Sequence, residues 1–297
     1  MRLDLFLAQK FPETSRATFQ KLIDSERVEI NGEKAKSTRQ NVSESDDVKV
    51  FFPRQMTFVQ EIADFSKNVI FEDENVIVIN KPAGVLTHSK GNLTDEFTVA
   101  DFVKSSIKTD KNDAFAETNR PGIVHRLDRA TSGILIAVKN SKTKSFLQNQ
   151  FQDRKVKKAY LAIVEKAPKI ATARIDLPIG RNPKSPSEFK IDANGKSAIT
   201  DYKTLEVFAD GSALLELKPV TGRTRQLRVH MKYLNSPILG DVVYNSNKTG
   251  DRMFLHALEL EITIPKTGNE IENQRRVFRA DLPSDFQGEI NHRRTKK

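Results

Sequence analysis

The chain of 297 residues contains no cysteine, and this absence excludes several kinds of chemistry. Disulfide bonds, a thiol nucleophile and a zinc site built on thiolates all require cysteine. The five histidines are scattered, with no pair at the spacing of metal ligands, so we expect no structural metal. The sequence also lacks a complete phosphate-binding loop and a dinucleotide fingerprint, which argues against kinases, GTPases and hydride-transfer enzymes.

Long hydrophobic runs are missing as well. No stretch approaches the ~18 apolar residues that a membrane-spanning helix needs. The first residues, MRLDLFLAQKFPE, are charged at positions 2 and 4 and have no long apolar core, unlike a signal peptide. We therefore expect a cytoplasmic protein without a membrane span.

Positive charge is in excess. Lys and Arg outnumber Asp and Glu by 49 to 39, giving a formal net charge of +10 and a pI near 9.6. Such an excess favours a polyanionic partner, either a nucleic acid or an anionic membrane surface. The alternative is that the protein is simply basic, as many cytosolic proteins are. The 37% of hydrophobic residues is typical of a folded protein with a core.

Residues 1–54 have the pattern of a small unit with two helices and a β-ribbon. Apolar residues recur at helical spacing in residues 2–9, and Ser15 can cap a second helix. Asn31-Gly32 predicts a hairpin turn, and residues 46–53 alternate like a strand. This pattern resembles the αL RNA-binding module of a small-subunit ribosomal protein and of tyrosyl-tRNA synthetases. The module's candidate RNA contacts are Arg2, Arg16, Lys21 and Arg27, although ten basic against nine acidic residues also suit an ordinary solvated surface.

The rest of the chain divides into a linker at 55–68, a large domain at 69–288 and a mobile basic tail at 289–297. Strands outnumber helices in the large domain and do not alternate with them regularly. This predicts an α+β fold with a mixed, mainly antiparallel central sheet. We expect helices over 98–107, over 141–154 with Ser141 as its cap, and over 224–234; the expected strands cover 76–80, 133–140, 157–166, 172–177, 197–208, 212–219 and 254–265.

A dense group of polar residues lies in the run GIVHRLDRATSG, between two apolar segments. The flanking cations Arg126 and Arg129 favour the ionised form of Asp128. An ionised, well-positioned carboxylate can act as a nucleophile, as in glycosidases. A structural ion pair in a turn is the alternative, since such pairs perturb carboxylates in the same way.

Two further segments hold candidates for function. Arg225 and Arg228 are three residues apart and share a face if this segment is helical, with Arg223 at the start. Arginines suit a phosphate contact and a charge partner for a buried carboxylate, while an ordinary basic helix face is the alternative. Tyr160 lies in an apolar strand, where a core aromatic is the usual interpretation.

Taken in order, several segments resemble the RluA-type pseudouridine synthases. They are VINKPAGVLTH, HRLDRATSGILIAVKN, KKAYLAIV, TGRTRQLRVHM and NSPILGD, followed by FLHALEL, and they cover about residues 69–285. The RNA-binding module is a common companion in that family. The resemblance implies the pseudouridine synthase fold and the isomerisation of specific uridines in structured RNA to pseudouridine, with no cofactor or metal.

The family's functional residues can be carried onto this sequence. Its catalytic aspartate falls on Asp128, the tyrosine that stacks on the target base and can act as a base falls on Tyr160, and the arginine that pairs with the aspartate falls on Arg228. Arg126 corresponds to the residue that helps displace the target base. Further candidates for RNA contact are His125, Arg129, Arg223, Arg225 and Lys81. Many members have histidine where this chain has Arg225.

The resemblance leaves the substrate and the chemical step open. Large-subunit ribosomal RNA is the expected substrate and transfer RNA the alternative, for a protein expected to be a monomer. Asp128 would attack the anomeric carbon, add to the uracil ring, or promote elimination to a glycal. A non-catalytic RNA-binding or ribosome assembly factor, and a nucleoside or glycoside hydrolase that uses Asp128, are the rival functions.

Overall fold

A computed structural model describes residues 1–12, 14–51, 59–89, 96–107, 120–185, 188–245, 252–268 and 272–296. The N-terminal unit contains two helices and a three-stranded antiparallel sheet in the order β2-β1-β3. Its elements are α1 (Leu3–Lys10), α2 (Arg16–Asp24), β1 (Val28–Ile30), β2 (Glu33–Lys34) and β3 (Val48–Val50).

Local chemistry explains why this unit folds as predicted. The Ser15 side chain accepts a hydrogen bond from the Thr18 backbone N–H at 3.2 Å, which caps α2. Asn31 and Gly32 both have positive φ, at 53° and 85°, the backbone that a two-residue hairpin turn requires. The apolar faces of both helices and the sheet close over one core that includes Leu3, Leu7, Phe19, Leu22, Ile23 and Val28.

The second half of the predicted linker is ordered. Helix α3 (Val59–Phe65) and a 3-10 turn (Ser66–Asn68) occupy it, while residues 55–58 lie outside the described residues. The Phe65 ring is buried and meets the rings of Phe97 and Phe102 edge-on, at centroid distances of 5.3 and 5.1 Å. These contacts join α3 to the core of the large region.

The large region is built on a sheet in the order β4-β5-β6-β13-β7-β12-β11-β8, with β14 also paired to β13. The pair β6–β13 is parallel and the other pairs of this sheet are antiparallel, which confirms the predicted α+β class and mixed sheet. Strands β9 and β10 form a separate ribbon. The elements are β4 (Val69–Glu72), β5 (Val76–Lys81), α4 (Val99–Ser106), β6 (Ser132–Val138), α5 (Ser141–Gln152), β7 (Lys157–Val164), β8 (Thr172–Asp176), β9 (Ile179–Arg181), β10 (Phe189–Ile191), β11 (Ile199–Val207), β12 (Ala213–Pro219), α6 (Gln226–Tyr233), β13 (Leu255–Ile264), β14 (Gln274–Arg279) and α7 (Ser284–Thr295).

The start of α5 differs by one residue from the prediction. Asn140 has extended backbone, and its side chain accepts a hydrogen bond from the Thr143 N–H at 2.8 Å. Ser141 is already in the helix and cannot be the cap. Asparagine and serine are comparable caps, so the sequence NSKT offered two neighbouring choices.

The prediction of a mobile basic tail at residues 289–297 was wrong. Residues 284–295 form α7, and its arginines find partners on the β11–β12 hairpin and within the helix. The Arg293 guanidinium donates to Asp210 at 2.9 Å and to Glu289 at 2.7 Å, and Arg294 donates to Glu206 at 2.7 Å. These pairs, and Phe286 and Ile290 buried beneath them, hold the helix against the domain.

Helices are short throughout the described ranges. The longest, α5 and α7, have 12 residues each. None of the described helices has the length and apolar character to cross a bilayer. Nor do three or more histidine, aspartate or glutamate side chains converge on a possible metal position among these residues.

Candidate active site

The loop that carries Asp128 is fixed from three sides. The Thr87 hydroxyl donates to the Leu127 carbonyl at 2.8 Å and accepts from the Leu127 N–H at 3.2 Å. The Thr131 N–H donates to the Asp128 carbonyl at 3.1 Å, which closes a turn. Gly133 follows with φ +111°, and a Cβ there would lie 2.2 Å from the Ala257 carbonyl oxygen. Glycine is therefore required where this loop enters β6 beside β13.

Arg228 holds the Asp128 carboxylate. Its Nη1 donates to Asp128 Oδ2 at 2.9 Å. Its Nε and Nη2 donate in bidentate fashion to Asp241, both at 2.7 Å. The Arg228 and Asp241 side chains are 7% and 0% exposed, whereas that of Asp128 is 22% exposed. One buried arginine thus bridges two carboxylates, and Asp128 is the one that reaches solvent.

Electrostatics keep this bridge charged. Burial opposes ionisation of Asp241, but the hydrogen bond and positive charge of Arg228, with the N–H groups of Val243 and Tyr244, hold its pKa below the usual value. Burial also opposes the charge of Arg228, yet Asp241 and Asp128 raise the arginine's pKa above its usual value. Arg228 further lies 5.2 Å from the centroid of the Tyr244 ring. The arginine is therefore a permanent, fixed cation beside Asp128.

A cavity of about 560 Å³ opens in front of Asp128. Ligand pockets in proteins commonly have volumes of roughly 300–1,000 Å³, so one flipped nucleotide can fit. Among the described residues, Asp128 is the one carboxylate in its wall. Seven residues predicted from the sequence line it together: His125, Arg126, Asp128, Tyr160, Arg223, Arg225 and Arg228.

Tyr160 forms part of the same wall from β7. It packs against both large hydrophobic clusters of the domain and is half-buried. Burial, and then the negative charge of Asp128, raise the pKa of its hydroxyl above the usual value. The side chain is therefore a neutral phenol at physiological pH.

His125 and Arg126 lie side by side but in different surroundings. The His125 Nε2 accepts a hydrogen bond from the Ile136 N–H at 3.0 Å, and its ring stacks on Phe151 at 4.7 Å. Burial and the nearby Lys158 charge lower its pKa to about 3, so the ring is neutral and orders the loop. Arg126 is exposed, with its Nη1 3.3 Å from His88 Nε2.

Arg223 and Arg225 line the cavity from the loop before α6. The Arg223 Nε donates to the Ser197 carbonyl at 2.9 Å. Arg225 precedes the first helical residue with φ 56°, a left-handed conformation that is uncommon outside glycine. The buried Gln226 side chain fixes this turn through the Arg223 N–H at 3.0 Å and the Thr200 hydroxyl at 2.9 Å.

Lys81 and Arg129 do not line the cavity, and direct RNA contact by Lys81 was a wrong prediction. Lys81 is fully buried, and its ammonium donates to the carbonyls of Pro82 and Val85 at 2.8 and 2.9 Å. Burial lowers its pKa to about 7. The Arg129 guanidinium donates to the Gly84 carbonyl at 2.9 Å and pairs with Glu96. Both residues tie the β5 loop to the Asp128 loop.

In the N-terminal unit, Arg2 and Arg16 surround a buried carboxylate. Their guanidinium groups donate to Asp4 at 3.0 and 2.8 Å, while their side chains stay 39% and 44% exposed. Lys21 is exposed and Arg27 is half-buried. The side chains of Arg2 and Arg16 therefore hold Asp4 in place and still remain accessible to solvent.

Sequence reasoning missed Asp241 and Lys158. Asp241 ends the segment NSPILGD, one of the ordered motifs, but no role was predicted for its aspartate. Its partner, Arg228, lies thirteen residues earlier, and only the fold brings the two together. Lys158 precedes Tyr160 by two positions on β7, a spacing that puts both on one face of a strand and could have identified it.

Comparisons with known proteins agree with this geometry. Residues 75–233 match the RNA pseudouridylate synthase family, and residues 1–48 match the S4 domain. A protein named ribosomal large subunit pseudouridine synthase D from Borreliella burgdorferi is 37% identical over 293 residues, covering 96% of this chain and 87% of that protein. Its namesake from Vibrio cholerae is 32% identical, covering 96% and 89%.

A solved structure adds the fold. The human protein called RNA pseudouridylate synthase domain containing 4 matches with a TM-score of 0.60 at 24% identity, over 79% of this chain and 95% of that one. The matched residues run from β5 to α6 and include the described residues of the cavity wall except Leu255 of β13. The chain therefore belongs to the RNA pseudouridylate synthase family, is of the RluA type with an N-terminal S4 domain, and is an enzyme that converts uridine in RNA to pseudouridine.

Proposed function

We propose that this enzyme isomerises a uridine of large-subunit ribosomal RNA, with Asp128 as the carboxylate that acts on the target nucleotide. The observation that carries the catalytic assignment is that Asp128 is the one carboxylate among the described residues of the cavity wall. The proposed RNA class rests on the names of the Borreliella and Vibrio relatives, which are 37% and 32% identical.

The reaction is an isomerisation, so no atoms are gained or lost overall. It needs one positioned carboxylate. The bond between uracil N1 and the ribose C1′ breaks, the base turns, and C5 bonds to C1′ while its proton leaves and N1 gains one. Asp128 Oδ2 is held by Arg228, and among the described residues Oδ1 accepts no hydrogen bond. That oxygen is available to the nucleotide, and Arg228 stabilises the carboxylate while it acts.

Tyr160 supports this chemistry as a wall for the base. Its raised pKa keeps the phenol protonated, so we assign it stacking and hydrogen bonding to the flipped uracil and not the role of a phenolate base. Arg228, which lines the same cavity, is fixed by Asp241. The base would therefore meet a rigid pocket, which limits the positions from which Asp128 can react.

Access to the base requires that it leaves the RNA helix. Unstacking a base costs a few kcal/mol. Arg126 is exposed in the wall of the cavity, where its guanidinium can fill the space that the base vacates. The net charge of +10 provides attraction for any RNA, and the S4 domain, with Arg2, Arg16, Lys21 and Arg27 as candidate contacts, would add affinity.

A hydrolase that releases free uracil is less consistent with this cavity. Glycosidases pair two carboxylates about 5–10 Å apart, one as an acid and one as a base or nucleophile. In the described wall Asp128 has no such partner, because Asp241 is fully buried behind Arg228.

The test is pseudouridine mapping of total RNA from cells with and without the gene, complemented by the wild-type protein. We expect pseudouridine at one or a few positions of large-subunit ribosomal RNA to disappear and to return on complementation. Loss confined to transfer RNA would refute the ribosomal substrate. An unchanged map would refute the enzymatic role and favour an assembly factor.

A further inference from the structure

Lys158 is an unassigned cation in the same cavity. It lies on β7 two residues before Tyr160, so both side chains extend from the same face of the strand. Two residues of a strand span about 7 Å. Both side chains line the cavity in front of Asp128. A group bound by Lys158 would therefore lie roughly one nucleotide's breadth from the base position at Tyr160.

The ammonium of Lys158 has no protein partner. Across the part of the chain that the structure describes, it forms neither a hydrogen bond nor an ion pair, although the side chain is half-buried. The next residue on the opposite face, Lys157, is 75% exposed and pairs with Glu261 at 3.1 Å. Burying an unpaired charge is costly. The contrast between the two lysines indicates that Lys158 is placed for an anion that arrives with the substrate.

The space beside Lys158 is open. A Cβ added at Gly222 would lie 3.8 Å from Lys158 Nζ and would meet no other heavy atom within 4 Å. The wall around this space carries positive charge from other elements. Arg154 follows α5, and Arg223 and Arg225 precede α6, while His125 is neutral. Asp128 is the one carboxylate among the described residues of this wall, and Arg228 already neutralises it.

We infer that Lys158 binds a backbone phosphate of the RNA strand, adjacent to the uridine held at Asp128 and Tyr160. The inference rests on the proposed function and adds a positioning contact to it. An ammonium recognises a phosphate as a point charge and needs no fixed angle, which suits a group between a strand and a loop. Arg126 is a second cation in the same wall and is exposed, so it would contact the strand in addition to Lys158.

The pKa of Lys158 lies in a pH range in which RNA binding can be measured. Burial lowers the pKa of Lys158 to about 8. RNA affinity of the wild-type enzyme should therefore decrease as the pH rises above about 8, because the bound phosphate favours the protonated lysine and binding then requires uptake of a proton. In Lys158→Arg the charge persists, and affinity should stay level over the same range.

The experiment compares Lys158→Gln, Lys158→Arg and the matched control Lys157→Gln. Single-turnover rates are measured against enzyme concentration, with an RNA fragment that contains the mapped uridine. We expect Lys158→Gln to weaken apparent RNA affinity about tenfold and to reduce the slope of log affinity against log salt by about 0.7–0.9, as loss of one phosphate contact requires. The maximal rate should change less than about twofold, and both other variants should match the wild type.

A substituted RNA identifies the phosphate. One uncharged methylphosphonate linkage is placed 5′ or 3′ of the target uridine. At the contacted position it should weaken binding to the wild type about tenfold and leave Lys158→Gln unaffected. Equal losses for both proteins at both positions would overturn the inference, as would a Lys158→Gln variant with reduced maximal rate and unchanged affinity.

Failure of the proposed function has a separate signature. The same substitutions are made in an Asp128→Asn background, and binding of the large-subunit RNA fragment is followed by fluorescence anisotropy. If the wild type forms no pseudouridine in ribosomal RNA while Lys158→Gln still weakens binding and lowers the salt slope, the phosphate contact stands and the ribosomal substrate is refuted. If pseudouridine forms and Lys158→Gln binds like Lys157→Gln, the phosphate contact is refuted.

Discussion

The tripeptide Arg-Leu-Asp occurs twice in this chain, at Arg2–Asp4 and at Arg126–Asp128, and the two aspartates have opposite surroundings. In the N-terminal unit, Arg2 turns back onto Asp4, and Arg16 and Gln20 add donors at 2.8 and 2.9 Å. Both carboxylate oxygens are used and the side chain is fully buried. Asp4 therefore joins two helices and has no capacity left for a ligand.

In the large domain the local arginine does not pair with the aspartate. Arg126 is exposed near His88, and the partner of Asp128 is Arg228, one hundred residues later in the chain. One oxygen is held and the other faces a cavity. A buried carboxylate with both oxygens hydrogen-bonded stabilises a fold, whereas one that is firmly held through a single oxygen and reaches solvent can do chemistry.

Asp241 belongs with Asp4 in this comparison although it lies next to the active site. Replacing Asp241 with alanine leaves the buried Arg228 without its bidentate partner, and we expect the free energy of unfolding to fall by about 3 kcal/mol. Activity should fall too, because Arg228 would no longer be fixed beside Asp128. Denaturant unfolding and single-turnover assays measure both.

The control is Asp201→Ala, which removes a carboxylate from a surface pair with Arg174 at 2.7 Å. That variant should lose less than about 1 kcal/mol. If Asp241→Ala were as stable and as active as Asp201→Ala, Asp241 would have no positioning role.

Asp4→Asn tests the structural side of the comparison. Loss of the charged hydrogen bonds should destabilise the N-terminal unit by about 2 kcal/mol without changing the maximal rate of pseudouridine formation. The chain has no tryptophan, and its four tyrosines lie outside residues 1–54, so amide hydrogen exchange of α1 and α2 is the suitable measurement. Asp24→Asn, an exposed change in α2, is the matched control. Equal exchange in the two variants would contradict the role of Asp4.

The same cluster predicts a pH dependence. Burial opposes ionisation of Asp4, but hydrogen bonds from Gln20, Arg16 and Arg2 outweigh it and lower the pKa from 3.8 to about 2. Because the folded pKa lies below the unfolded one, the stabilisation is complete above about pH 4 and is lost as the pH falls towards 2. The difference between wild type and Asp4→Asn should shrink over that window.

Lys81 extends the contrast from aspartates to lysines. Burial lowers the pKa of Lys81 from 10.5 to about 7. Between these values the unfolded chain binds a proton that the folded chain does not, so stability rises with pH. Lys81→Met should remove up to about 1.4 kcal/mol per pH unit from that rise between pH 7.5 and 9, measured by denaturant unfolding. An unchanged slope would show that Lys81 remains charged in the fold.

Periodicity and turn chemistry predicted most of the elements because those signals are local. The Ser15 cap and the Asn31-Gly32 turn follow from neighbouring residues, and the fold contains both of them. The predicted α+β class follows from the order of the elements along the chain. The helical end of the chain could not be predicted, because two of the carboxylates that pair with Arg293 and Arg294, Asp210 and Glu206, lie more than eighty residues earlier.

The candidate active site was likewise predictable only in part. The ordered motifs identified Asp128, Tyr160 and Arg228, which the fold brings to one cavity. Burial of Lys81 and saturation of Asp241 depend on contacts between distant strands and loops, and no spacing in the sequence reveals them. The net positive charge likewise indicated a polyanionic partner, but it did not indicate that Lys158 lines the cavity.

The most direct test of the central claim is the single-turnover rate of pseudouridine formation by Asp128→Asn at saturating enzyme. Thermal unfolding and RNA affinity are measured on the same sample. We expect the rate to fall by at least about a thousandfold, as for the loss of other catalytic side chains. Because Asp241 still neutralises Arg228, the melting temperature should stay within about 2 °C and RNA affinity within about threefold. A folded Asp128→Asn variant that forms pseudouridine at the wild-type rate would contradict the assignment of Asp128 as the catalytic carboxylate.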